Sequence, residues 1–71
     1  MKNLKLEPGK FYLSKDNEIW CCYRIDESKP DHCQADCIRT SDSRVEYFYL
    51  DGRYDFDGMR EHSLIKEVFI K

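Results

Sequence analysis

The sequence predicts an all-β protein: a small antiparallel sheet of five to six strands, curled or closed as an SH3-like or OB-like barrel. Three observations predict it. Residues 45–60 (VEYFYLDGRYDFDGMR) hold five aromatic rings and two Asp-Gly steps. Asp-Gly beside β-branched and aromatic residues is a strong hairpin signal, because glycine reaches the positive φ of a tight turn. Elsewhere, short runs rich in strand formers alternate with polar turn residues, and no segment reads as a long helix.

Taken in order, Leu4 and Leu6 alternate with lysine before Glu7-Pro8-Gly9, a turn in which proline sets φ ahead of a glycine. Residues 10–14 (KFYLS) read as a strand, and Lys15 to Glu18 as a polar turn centred on Asp16-Asn17. Ile19–Ile25 (IWCCYRI) is the returning strand. Residues 26–31 (DESKPD) form a hydrophilic loop. In residues 32–40 (HCQADCIRT), Cys33, Ala35 and Cys37 alternate with polar residues, which favours a strand with its small side chains inward. Ala35 and Asp36 are poor strand formers, so a single helical turn stays open there. Residues 41–44 form a loop leading to the aromatic strand 45–50, and a short strand is expected at 53–56. Ser63 opens a turn of 3₁₀ or helix, followed by a closing strand at 67–70.

Seventy-one residues make one domain, 1–71, with a net charge of −2. A chain of this size buries only about 60% of its unfolded surface, so its core is thin. Ten aromatic residues offset part of that, since each buries about 150–250 Å². The acidic balance argues against a general nucleic-acid binder, whose footprint is a basic stripe. No apolar run has the length of a signal peptide or a membrane span, so the expectation is a soluble cytoplasmic protein. In that compartment Cys21, Cys22, Cys33 and Cys37 are expected as thiols. Adjacent Cys21 and Cys22 point to opposite faces of a strand, so at most one faces the core.

Chemistry-bearing patterns are weak. Zinc knuckles pair ligands at short spacing in two separated places. Here three residues separate Cys33 from Cys37, and Cys21-Cys22 lies upstream without the glycines of a knuckle. Core thiols acting as small hydrophobes are the simpler reading. His32 beside Cys33 and His62 beside Ser63 put base and nucleophile on opposite faces, which excludes ready activation. Asp51, Asp55, Asp57 and Glu61 imitate part of a calcium loop, but Arg53 interrupts it; turn aspartates bonding their own backbone account for them. The chain is therefore expected to be neither enzyme nor metalloprotein, and to carry no cofactor.

The aromatic excess is different. In residues 45–50 one face carries Val45, Tyr47 and Tyr49, the other Phe48 and Leu50 beside Glu46. A strand apolar on both faces is either central or keeps one face for a partner, and so short a chain has little with which to cover a second face. Tyrosine with arginine is the composition of interface hot spots. Tyr47, Tyr49, Arg53, Tyr54 and Arg60 are the candidate partner surface, with a homodimer as one form of it. The alternatives are a nucleotide or other small-molecule signal held by arginine and a stacked ring, or weak nucleic-acid binding by the small barrel with the same rings as stacking platforms.

The segment Leu6-Glu7-Pro8-Gly9-Lys10-Phe11-Tyr12, followed by Tyr49-Leu50-Asp51-Gly52-Arg53-Tyr54, Asp57-Gly58, Arg60-Glu61-His62-Ser63-Leu64 and a hydrophobic tail, resembles a family of small phage and prophage proteins. Those chains open on L-x-x-G-K-x-Y and close on D-G-R-Y … D-G-x-R-E. The resemblance covers the two ends and leaves residues 19–44 unmatched. It implies a phage accessory protein of small β-fold that acts by stoichiometric binding to a host or defence-system protein in the host cytoplasm. It transfers no catalytic or binding residue.

Overall fold

A computed structural model describes residues 4–54 and 60–69. Five strands form one antiparallel sheet: β1 (Phe11–Ser14), β2 (Ile19–Ile25), β3 (Ala35–Arg39), β4 (Val45–Phe48) and β5 (Leu64–Val68). Their order is β4-β3-β2-β1-β5. Four strands thus meander and the fifth returns beside the first. Among the described residues β4 and β5 do not pair with each other, so the sheet curls without closing into a barrel.

Each connection has a local cause. Asn17 takes the left-handed conformation at φ 67° in the β1–β2 turn, a region asparagine tolerates. The Glu18 N–H donates to Ser14 Oγ at 3.1 Å, tying the turn to a buried hydroxyl. Between β2 and β3, a 3₁₀ turn, Asp31–Cys33, precedes the strand. The structure thus divides residues 32–40 into a turn and then a strand. Gln34 Nε2 donates to the carbonyls of Lys29 and Glu27, which fastens that loop. Between β3 and β4, Arg39 grips Asp42 through Nε–Oδ1 at 2.9 Å and Nη2–Oδ2 at 2.6 Å.

After β4 the chain turns at Asp51-Gly52, with Gly52 at φ +91°. The turn does not join two paired strands as the hairpin signal suggested. Instead the Leu64 N–H donates to the Gly52 carbonyl at 2.7 Å, so the turn docks on the start of β5. The short strand expected at 53–56 is absent at Arg53 and Tyr54, and its remainder, like Asp57-Gly58, lies outside the described residues. A second 3₁₀ turn, Arg60–His62, leads into β5, which begins three residues earlier than the closing strand the sequence suggested.

The concave face holds the core: Leu6, Tyr12, Trp20, Cys22, Ala35, Cys37, Phe48, Tyr54 and Leu64. Its centre is aromatic. Trp20 meets Phe48 edge-on at 5.2 Å between ring centroids, Phe48 meets Tyr54 at 5.2 Å, and Tyr54 meets His62 at 5.1 Å. Such tilted pairs are worth about 0.5–1.5 kcal/mol each beyond the area they bury. The convex face carries an apolar row of register partners across all five strands: Val68, Phe11, Cys21, Ile38 and Val45.

The aromatic strand resolves into these two faces. Phe48 is fully buried while Tyr47 is 42% exposed. Among the described residues no second layer covers the convex face, so Tyr47 meets solvent there.

Candidate functional site

A cleft of about 310 Å³ opens at one end of the core, lined by Lys15, Tyr49, Arg53, Tyr54, Arg60 and Ser63. Among the described residues its walls come from three separate segments. The Lys15 N–H donates to the Ser63 carbonyl at 2.9 Å and the Asp16 N–H to the Glu61 carbonyl at 2.9 Å. These bonds zip the β1–β2 turn onto the segment that carries Arg60. The third segment is the turn after β4, closed by bonds between Tyr49 and Arg53 (N–H to carbonyl, 3.0 Å) and Gly52 and Tyr49 (2.9 Å).

Four of the five residues singled out from the sequence meet here: Tyr49, Arg53, Tyr54 and Arg60. Their roles differ. Tyr54 is only 5% exposed and forms the inner wall rather than a free docking ring. Its hydroxyl donates to Glu46 Oε1 at 2.8 Å, and its backbone N–H donates to Ser63 Oγ at 3.0 Å. Arg53 lies over the Tyr49 ring, Cζ 4.2 Å from the centroid, with Nε 2.9 Å from Asp51 Oδ2. That guanidinium is therefore held in place before any ligand arrives. Arg60 and Lys15 are exposed and, among the described residues, form no ion pair. Tyr47 is not in the cleft. It lies on the convex face with Lys29 Nζ 5.5 Å from its ring centroid.

Among the described residues no carboxylate lines this cleft, in a protein whose net charge is negative. Three cationic side chains and a ring wall in a concave, partly desolvated place suit an anion attached to a flat group. Guanidinium forks match phosphate oxygens two at a time. Beside it, across the Tyr49–Arg53 stack, a shallower hollow of about 200 Å³ is lined by Asp31, Gln34, Leu50 and Asp51 as well. The shared ridge thus has a basic side and an acidic side.

Behind the cleft, His62 is buried and its Nδ1 lies 3.0 Å from Asp16 Oδ2. An ionised carboxylate only accepts, so Nδ1 carries the proton. The other oxygen of Asp16 accepts from the Ser14 hydroxyl. Activation of a serine needs imidazole beside hydroxyl; here the carboxylate stands between the two, the order of a structural bridge. The sequence pointed to Ser63 as the neighbour of His62, yet the partner that folding supplies is Asp16. Among the described residues, no three His, Cys, Asp or Glu side chains gather as a metal site. Nor is any described helix long and apolar enough to cross a membrane.

Lys15 and Ser63 are the lining residues that sequence reasoning missed. Lys15 reads as an ordinary turn lysine, and only the backbone bonds to residues 61–63 carry it to Arg60. No family model, curated protein or solved structure matches this chain. The likeness of its ends to phage proteins stays an expectation from the motifs alone.

Proposed function

We propose that this chain is a non-enzymatic binding protein that captures a small phosphate-bearing molecule, a nucleotide by class, in the Lys15–Tyr49–Arg53–Arg60 cleft. The observation that carries the reading is the convergence of three cations and two tyrosines on one concave site, with no carboxylate among its described lining residues. A volume of about 310 Å³ stands at the small end of ligand pockets, roughly 300–1,000 Å³. In a phage or prophage, such a protein would act stoichiometrically in the host cytoplasm by sequestering a nucleotide signal.

Docking of a host or defence-system protein is the second reading, and the half-exposed Tyr23, Val45 and Tyr47 on the convex face favour it. Area favours the cleft. Five strands of four to seven residues, about 4.8 Å apart, present a projected area of roughly 300–400 Å². A standard interface takes about 800 Å² from each partner.

A thermal-shift panel of mono-, di- and cyclic nucleotides tests the proposal, with Arg60→Ala and Tyr47→Ala as the paired variants. A ligand at a hundred times its Kd adds about 2.7 kcal/mol, which in a domain this small raises Tm by roughly 10–20 °C. The shift should vanish in Arg60→Ala and persist in Tyr47→Ala. No shift across the panel would end the nucleotide reading. Capture of a host protein that Tyr47→Ala alone abolishes would establish docking in its place.

A further inference from the structure

Two of the four cysteines stand directly opposite each other on neighbouring strands. Cys22 of β2 and Cys37 of β3 are register partners, both are fully buried, and both are free thiols. The backbone shows which kind of pair they form. The Cys22 N–H donates to the Lys10 carbonyl at 3.0 Å, and its carbonyl accepts from Gly9 N–H at 2.7 Å. Both groups therefore point toward β1, away from β3. On β3 the Arg39 N–H donates across the hairpin to Arg44, and alternation turns the backbone of Cys37 the same way, toward β4. Cys22 and Cys37 thus form a non-hydrogen-bonded antiparallel pair. Such pairs bring Cα atoms to about 4.5 Å and side chains closest together, at the lower end of the roughly 4.4–6.8 Å that a disulfide spans.

We propose that Cys22 and Cys37 are a modification site, a thiol pair that the fold converts to a cross-strand disulfide joining β2 to β3. The other thiols are placed for no such bond. Cys21 points to the convex face opposite Ile38, and Cys33 sits in the first 3₁₀ turn with its Sγ bonded to the Pro30 carbonyl at 3.5 Å.

The co-reactant is a small disulfide of the glutathione class. One protein thiolate attacks it, forming a mixed disulfide and releasing one glutathione thiolate. The second protein thiolate then displaces the bound glutathione sulfur, closing the Cys22–Cys37 bond and releasing another. Two electrons pass from the protein to glutathione, and the two protons leave with the two glutathione thiols. The hydrogen bond between the two thiols favours loss of the first proton from the pair and opposes loss of the second. Access comes through β4, a four-residue edge strand whose Glu46 is the register partner of Cys37. Because β4 also carries the buried Phe48, this opening competes with core packing, and the pair oxidises fastest while the chain is folding.

The test is refolding from urea in oxidised and reduced glutathione, followed by acid quench and intact mass. The full-length Cys21→Ser, Cys33→Ser variant keeps only the two thiols in question. It should lose the mass of two hydrogens, yield one linked pair of tryptic peptides, and melt several degrees higher than its reduced form, reversibly on adding reductant. Native protein in the same buffer should reach the same product more slowly, and Cys22→Ala should not form it at all. Two thiols or two glutathione adducts after oxidative refolding, or a disulfide that lowers Tm, would overturn the proposal.

Discussion

The interior of the sheet and the cleft at its end share residue types and even a residue, Tyr54, yet they settle their polar groups in different ways. In the interior most polar groups find partners inside the molecule: the Tyr54 hydroxyl meets Glu46, His62 meets Asp16, and the Tyr12 hydroxyl accepts the Glu7 N–H at 2.9 Å, while Trp20 Nε1 and Asp36 Oδ1 are buried without a hydrogen bond among the described residues. In the cleft, Arg53 is stacked and paired, but Lys15 and Arg60 present their charges to the opening. The contrast separates what this chain needs to fold from what it has left over for a ligand. A position of the first kind should cost stability when changed, and one of the second kind should cost binding.

The interior should therefore fail most severely. Phe48→Ala removes a fully buried ring at the centre of the aromatic cluster, and such truncations cost about 3–5 kcal/mol. Urea titration of the purified variant should show most of the native stability gone. A loss under 1 kcal/mol would break the division between the two regions.

Gly52→Ala comes next. Gly52 has φ +91°, and a Cβ there would stand 2.9 Å from the Leu64 carbonyl oxygen and 3.0 Å from Leu4 Cδ2. Strain of this sort costs about 1–3 kcal/mol. The loss should appear in the same titration, and an equal melting point for variant and wild type would refute the account of that turn.

Asp16→Ala strands the buried His62 Nδ1 without its acceptor, at a cost of at least about 1 kcal/mol. Arg60→Ala, a few residues away and exposed, should stay within about 0.5 kcal/mol of wild type by the same measurement. That pair sharpens the comparison, because both side chains lie near one cleft and only one is used by the fold.

The smallest effect is a matter of pH. The bidentate bond from Arg39 holds the Asp42 carboxyl down to about 2, from an ordinary 3.8. A carboxyl whose folded value is depressed contributes stability above its unfolded value and loses it as pH falls through the folded one. Asp42→Asn should thus melt slightly below wild type at neutral pH, and the difference should close between about pH 4 and pH 2. A gap that widens with acid would contradict the assignment.

How much of this was legible in the sequence depends on whether the cause was local. The strand Ile19–Ile25, the Asp16-Asn17 turn and the opposite facing of Cys21 and Cys22 follow from neighbouring residues, and the structure has them. The inward placing of Ala35 and Cys37 was also readable. What local pattern could not supply was which partner a segment finds. Asp51-Gly52 has the chemistry of a hairpin turn, but the strand it serves is β5, docked through Leu64 rather than paired with β4. The same limit applies to the site. Tyr49, Arg53, Tyr54 and Arg60 lie close in sequence and share one cleft, whereas Lys15 joins them only through bonds spanning some forty-five residues. Tyr47 was grouped with them by composition, but β4 ends at Phe48, so Tyr47 stays on the convex face of the strand while Tyr49 belongs to the turn that lines the cleft.

Backbone-amide NMR during a nucleotide titration tests the central claim most directly, because it reports where a ligand sits without any substitution. The account predicts that the amides which move are those of Lys15, residues 49–54 and residues 60–63, while Tyr23, Val45 and Tyr47 hold still. Saturating nucleotide that moves no cleft amide, or that moves only the convex face, would contradict it.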